Sequence, residues 1–285
     1  MKLLVIFHLY YRDQLPWFLD KLSHVKGCDW DLLVTGPAFD EPSKAAILAF
    51  KPEARFLECE NVGYDVWPFL KALQQTDLDR HDLVLKIHTK NNTGKHKVRI
   101  NGVHLKEYMW RNTLVDAILQ DDRRFQEVLA IFGEHPDAGM VCSRKLYCAL
   151  FFKEDHALLD QELERLNLHT EDRRFCVGTM MMMRASLFKA LPLDSYGPEF
   201  FPAQSASNSG GTPAHVYERV FSLLVPAQGY RVYTTGSDRS FERKQWRRKH
   251  LKPILSWIFN IDREGEEGIK YLTLFGIKIK LEDRV

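Results

Sequence analysis

Apolar positions open the chain as one unbroken run. Leu3 to Phe7 reads LLVIF, the pattern of a strand covered on both faces rather than one alternating between core and solvent. A helix is predicted from Pro16 to Leu22, then a strand over Asp31–Thr35 stopped by Gly36-Pro37, and a helix over Ser43–Phe50. A strand at Arg55–Cys59, a helix at Val66–Gln74 and a fourth strand at Leu83–Ile87 continue the rhythm. Strand and helix alternating through short connections specify an α/β fold, a mostly parallel sheet flanked by helices on both faces.

His88 to Gly102 interrupts the rhythm: it is polar, rich in Asn, Gly and Lys, and reads as an exposed loop. Helices follow over about Leu105–Gln120 and Arg123–His135, a strand over Ala138–Cys142 and a helix over His156–Leu166. The apolar run Phe175–Arg184 is long enough for one central strand, with Met180–Met183 as core, methionine being suited to irregular gaps. Ser186–Ala190 reads as a short helix and Pro198–Gly211 as a loop. Thr212 and Pro213 supply an N-cap and a first-turn proline for a helix to about Val225, and a strand at Arg231–Thr235 completes the domain. Beyond Phe241 the composition becomes basic, with Trp246, Ile254, Leu255, Trp257, Ile258 and Phe259 set among Lys and Arg; YLTLFGIKIKLE then alternates like a hairpin or edge strand. The expected division is a domain over 1–240 and a basic, aromatic appendage over 241–285.

With 45% hydrophobic and 27% charged residues in 285, the chain can bury a sizeable core, and a net charge of +2 does not by itself suggest a nucleic-acid partner. Five cysteines without a CxxC pair read as reduced thiols of a cytoplasmic protein. Neither a signal peptide nor an apolar stretch of about 18–20 residues is apparent, so the expected location is cytoplasmic. The tail suits a segment lying on an anionic inner-membrane surface, where basic residues and interfacial aromatics both contribute; a solvated basic helix is the plainer alternative.

In a doubly wound sheet, ligands bind beyond the carboxyl ends of the strands, so polar clusters directly after strands carry the candidate chemistry. His8 and Tyr10 follow the first strand and suit a nucleobase, or simply cover the sheet edge. Asn61, Gly63 and Asp65 follow the third, where Gly63 permits close backbone approach while Asn61 and Asp65 cap the helix or meet sugar hydroxyls. His88, Thr89 and Lys90 follow the fourth. No Asp-x-Asp pair stands there: Asp29/Asp31 and Asp77/Asp79 have the spacing but precede their strands. His88 and Lys90 offer positive charge and donors able to neutralise a departing diphosphate without metal, although Mg or Mn stays open. His215, Glu218 and Asp65 are candidate bases for an acceptor hydroxyl, with a Glu218–Arg219 ion pair as the structural alternative. Trp110 and Arg111 are assigned to acceptor binding.

Three separated segments resemble the rhamnan synthesis protein F family: Asn61 to Leu70 (NVGYDVWPFL), Leu85 to Lys90 (LKIHTK), and the Gly178 to Arg184 run with Gly211 to Arg219 (GTPAHVYER). The resemblance implies a GT-A-like hexosyltransferase, inverting by analogy. It would take a dTDP- or UDP-sugar and extend a lipid-linked glycan in bacterial O-antigen, capsule or cell-wall synthesis. It carries the functional expectation onto Asn61, Gly63, Asp65, His88, Thr89, Lys90, His215 and Glu218. Where the family usually has Asp before Gly-Thr, this chain has Gly210. The rival expectations are a non-catalytic glycan-binding scaffold that kept the fold, and a nucleic-acid binder using His88–Arg99 and the tail.

Overall fold

The computed structural model describes residues 1–92, 94, 98–149, 155–201, 211–264 and 269–280. The chain forms two compact units, Met1–Gly236 and Ser237–Val285. The larger contains β1 (Lys2–His8), α1 (Leu15–Leu22), β2 (Asp29–Gly36), α2 (Glu41–Phe50), β3 (Arg55–Glu58), α3 (Val66–Gln74) and β4 (Leu83–His88). A small hairpin, β5 (Val98–Ile100) and β6 (Val103–Leu105), precedes α4 (Met109–Leu119), α5 (Asp122–Glu134) and β7 (Ala138–Ser143). Then come β8 (Tyr147–Cys148), α6 (Asp155–Arg165), β9 (Phe175–Cys176), β10 (Met181–Arg184), α7 (Pro213–Ala227) and β11 (Arg231–Thr235).

Seven strands form the main sheet in the order β11-β7-β10-β4-β1-β2-β3, in which only β10 runs against the rest. The LLVIF run suits β1 to the interior of the sheet: each of its residues is at most 1% exposed, with cover on both faces. Helix starts are set by side-chain caps. Asp40 accepts from Ser43 N (2.7 Å), Asp121 from Arg124 N (2.8 Å), and Thr212 caps the His215 N–H with Pro213 in the first turn.

Two expectations need correction. The apolar run Phe175–Arg184 is two short strands around a turn at Gly178 and Thr179, where φ is +98° and +49°. A buried turn is as apolar as a buried strand, so hydrophobicity could not reveal it. The turn reverses the chain so that β10, with Met180–Met183 all in the core, enters antiparallel between β4 and β7. The segment His88–Gly102 is likewise not all loop, because Val98–Ile100 pairs with Val103–Leu105. That hairpin takes Leu105 out of the expected helix, which begins at Met109.

The smaller unit consists of α8 (Arg239–Ile258) and a three-stranded antiparallel sheet of β12 (Phe259–Glu264), β13 (Ile269–Leu274) and β14 (Ile277–Lys280). Asp238 caps α8 at Phe241 N (2.8 Å). The tight turn Phe275-Gly276 docks on the end of the helix, through Phe275 N to Ile258 O (2.9 Å) and Gly276 N to Trp257 O (2.7 Å). Trp246, Ile254, Leu255, Trp257 and Phe259 are exposed.

Candidate functional site

The chain builds β1, β2 and β3 outward to one side, then returns to place β4 on the other side of β1. The order therefore reverses between β1 and β4, whose last residues stand side by side in register, His8 against His88. Strand order reversal opens a crevice at the carboxyl ends. Alternation along β4 puts Lys86 and His88 on one face. Residues from α3 and the Gly178-Thr179 turn close over them.

At the carboxyl ends of β1 and β4 lies a buried charged network. Asp65, at the start of α3, makes no helix cap, contrary to one expectation; its carboxylate turns inward. Its Oδ2 accepts from Lys86 Nζ and from the Thr179 hydroxyl (2.8 Å). Lys86 Nζ also donates to Thr179 O (3.2 Å) and Thr179 Oγ1 (2.8 Å), and sits over the rings of Phe69 and Phe221. Burial alone would raise the Asp65 pKa. The charges of His88 and Lys86, the Lys86 hydrogen bond and the charge of Lys90 outweigh it, and hold the carboxyl well below the usual range. Thr179 occupies a left-handed conformation unfavourable for a β-branched residue, at a cost of about 1–3 kcal/mol. Its hydroxyl contact with Asp65 helps offset that cost.

His88 has both ring nitrogens against carbonyl oxygens: Nδ1 meets Thr89 O (3.0 Å) and Nε2 meets Gly178 O (2.9 Å), with Asp65 Oδ2 at 3.6 Å. Burial pushes its pKa down to about 4 despite the pull of Asp65, and burial also takes His8 down to about 3. His8 is neutral near pH 7. His88 faces a carbonyl oxygen at each ring nitrogen with the Asp65 carboxylate nearby, a set of acceptors that only an imidazolium satisfies on both sides, so burial and its hydrogen-bond partners pull its protonation in opposite directions.

Above the network the groups are less committed. The Lys90 ammonium lies 4.0 Å from the centre of the Trp110 ring and, among the described residues, makes no hydrogen bond or ion pair. Burial lowers its pKa, while the charges of Glu218 and Asp65 oppose that shift. Glu218, half-buried on α7, also makes no hydrogen bond or ion pair among the described residues, so the expected alternative of a Glu218–Arg219 salt bridge does not form. Burial first, then the charge of Asp65, raises its carboxyl to about 7 against the opposing charges of Lys90 and Arg219. His215, one turn earlier on α7, has Nδ1 2.7 Å from Thr212 Oγ1 and its ring edge-on to Tyr64 at 5.7 Å. That contact brings the Asn61–Asp65 turn beside α7.

The remaining expected residues divide between surface and scaffold. Tyr10 (43% exposed) and Asn61 stand at the surface, free to meet a ligand. His8 is buried, with Nδ1 3.1 Å from the Thr35 hydroxyl. Thr89 Oγ1 accepts the backbone N–H groups of Tyr10 (2.9 Å) and Tyr11 (3.0 Å), so its hydroxyl shapes the loop. Gly63 has φ +64°, and a Cβ there would come 2.8 Å from the Phe201 ring; the close approach it permits is to packed protein. Trp110 donates Nε1 to Val177 O (3.2 Å) while its face supports Lys90. Arg111 points inward: buried, it stacks on Trp17 at 3.8 Å and donates to Gln14 Oε1 (3.1 Å), which removes it from any open acceptor face. Gly210 lies outside the described residues.

Lys86, Thr179 and Gln14 were not anticipated. A lysine inside the apolar strand LVLKIH was the available signal, since a buried ammonium requires an anion. Gln14 clamps the backbone of Lys90, its Nε2 donating to Lys90 O (2.8 Å) and its Oε1 accepting from Lys90 N (3.4 Å). Asp65 offers little to a divalent ion: its Oδ2 is taken by Lys86 and Thr179, and Lys86 and Lys90 bring positive charge beside it. Among the described residues, no three His, Cys, Asp or Glu side chains gather as a metal-holding group. Asp29 and Asp31 lie at the opposite edge of the sheet, where Asp31 pairs with Lys2 (3.1 Å) and His81 (2.8 Å).

A charged network at the switch point of a mostly parallel sheet, with Lys90 and Glu218 beside it, stands where α/β folds hold their ligands. The chain belongs to the rhamnan synthesis protein F family, which it matches over residues 1–230. It is 27% identical over 241 residues to the uncharacterized protein WxcX from two strains of Xanthomonas campestris pv. campestris; the match takes in 81% of this chain and 32% of the relative. The chain thus spans about a third of the length of those relatives. Among solved structures it is similar to S. aureus TarS 1–349 at 12% identity (84% of this chain, 59% of that one, TM-score 0.44). The galactosyltransferase LgtC with donor and acceptor sugar analogues is similar at 10% identity (82% and 73%, TM-score 0.38).

Proposed function

We propose that residues 1–236 form a GT-A-like glycosyltransferase domain that moves a sugar from a nucleoside-diphosphate donor to a glycan hydroxyl. The observation that carries this reading is the meeting of β4, α3 and α7 at the switch point: beside the Asp65–Lys86–His88 network stand Lys90 and Glu218, which feel each other's charge and, among the described residues, make no side-chain hydrogen bond or ion pair; burial and the charge of Asp65 raise the Glu218 carboxyl to about 7. A carboxyl with a pKa close to the working pH is well matched to proton abstraction. Of the three candidate bases, Asp65 is too acidic and spent on Lys86, and His215 is engaged with Thr212.

In the proposed step the acceptor oxygen bonds to the anomeric carbon as the carbon–oxygen bond to the diphosphate breaks. Glu218 takes the acceptor proton, and the nucleoside diphosphate leaves against the ammonium of Lys90. Attack from the face opposite the leaving group inverts the anomeric centre. Tyr10 offers a ring for the nucleobase of a dTDP- or UDP-sugar. The family's description, rhamnan synthesis, supports rhamnose over another hexose as the transferred sugar in this reading, with a lipid-linked bacterial surface polysaccharide as the acceptor it proposes. In the smaller unit, exposed Trp246 and Ile254 among basic residues suit an anionic membrane face on the cytoplasmic side.

The scaffold reading draws on the internal use of Asp65. Titration calorimetry with dTDP and UDP separates the two, followed by a donor screen with lipid-linked acceptors read by mass spectrometry. The transferase reading expects one nucleotide to bind and one donor to turn over. Binding of neither nucleotide would overturn it.

A further inference from the structure

A cavity of about 260 Å³ lies along the outer stripe of α4 and is lined by Met109, Asn112, Thr113, Asp116, Gln120 and, from across the groove, Lys145. These α4 positions recur three or four apart and so share one face. At 1.5 Å per residue the stripe from Met109 to Gln120 is about 16 Å long, more than one sugar ring needs. It starts beside Trp110, whose ring supports the Lys90 ammonium.

The sheet places this groove on the same rim as the crevice. β7 and β11 run parallel to each other, and β7 runs in the direction of β4 because both are antiparallel to β10. Lys145 follows the end of β7, and Gly236, also in the lining, follows the end of β11. Crevice and groove are thus neighbours along the carboxyl edge, one over β1 and β4 and the other over β7 and β11.

The lining indicates the ligand class. Among the described residues, the Thr113 hydroxyl and the Gln120 side-chain amide make no hydrogen bond, and Asn112 is engaged only through its oxygen, which accepts from Arg111 Nε (3.0 Å). The charge of Asp116 is matched by Lys21 Nζ at 2.7 Å. A row of amides and a hydroxyl, with the Lys145 ammonium across the groove and the exposed Met109 at one end, suits a polyhydroxylated chain with apolar ring faces. We propose that this groove is a glycan subsite, holding sugar units of the acceptor behind the hydroxyl that reacts. The proposal deepens the transferase reading and rests on it for the word acceptor.

The test is retention of the full chain on an array of bacterial surface oligosaccharides two to six units long, rhamnan fragments included. Wild type is expected to retain a subset. Thr113→Trp, which fills the groove, is expected to lose that retention at least tenfold, and Gln120→Ala to weaken it severalfold, while both keep wild-type circular dichroism. Lys90→Ala should leave retention unchanged. Absence of retained glycans, or retention indifferent to both groove substitutions, would overturn the subsite. Should Thr113→Trp not fold, the exposed Gln120→Ala decides alone. Calorimetry with dTDP and UDP on the same protein keeps the two readings apart: glycan retention without nucleotide binding removes the transferase and leaves the groove.

Discussion

Replacing Glu218 by Gln tests the proton chemistry directly, because this carboxyl should cost the protein stability where it is ionised. Its pKa rises from 4.5 to about 7 on folding, through burial and the charge of Asp65. A shift of that size corresponds to about 3 kcal/mol at 1.36 kcal/mol per unit. The figure is an upper value, since the side chain is only half-buried. The folded-state pKa is raised, so the native protein binds the extra proton: the stabilising contribution is full below pH 4.5 and is lost as pH rises through about 7. Glutamine keeps the shape of the neutral carboxyl and never ionises. Urea unfolding of wild type and Glu218→Gln should therefore give similar stabilities at pH 4.5, and a variant more stable by up to about 3 kcal/mol at pH 8. The contributions of His8 and His88 are common to both proteins and cancel in the comparison. The same variant should lose about 10²- to 10⁴-fold in turnover. A stability difference that does not change between pH 4.5 and pH 8 would refute the perturbed carboxyl, and near-normal turnover would remove Glu218 as the base.

The charge of Lys90 lowers the Glu218 pKa, so Lys90→Met should move the acid limb of the pH–rate profile upward, cut turnover by about 10²–10³, and leave the melting temperature nearly unchanged; an unmoved limb contradicts the pairing. Lys86→Met strands the Asp65 carboxylate without its ammonium and should cost about 3–5 kcal/mol in urea unfolding, most of it recovered in the double variant with Asp65→Asn. His8 is depressed from 6.5 to about 3, so its contribution is present above pH 6.5 and is lost as pH falls through about 3; His8→Asn should flatten the acid limb of stability against pH, read by thermal melts. The full chain should sediment with phosphatidylglycerol vesicles but not with phosphatidylcholine, and less after Trp246→Ser with Ile254→Ser; equal recovery with both lipids argues against an anionic surface.

Much of the fold was legible because strand and helix periodicity is a local property. Val66–Gln74 and Arg231–Thr235 match their predicted bounds residue for residue, and LLVIF identified a strand covered on both faces. The boundary between β9 and β10 escaped notice since apolarity reports burial, and the Gly178-Thr179 turn is as buried as the strands it joins. The candidate site was legible in its members more than in their roles. Lys90 follows β4 as expected, whereas His88 is the last residue of the strand and is buried against two carbonyl oxygens, and Arg111 is consumed in packing against Trp17.

What the linear chain determined alone was the alternation of elements, the capping at Thr212-Pro213, and the family carried by NVGYD, LKIHTK and GTPAHVYER. Only the tertiary structure decided which acid is held by Lys86 and which is left, among the described residues, without a hydrogen bond or ion pair. Asp65 and Glu218 carry the same functional group; one is driven far below its ordinary pKa by adjacent ammonium and hydroxyl donors, the other lifted to about 7 by burial and a like charge. Proton affinity depends on distances through folded space, and those are fixed when α3, β4 and α7 pack together.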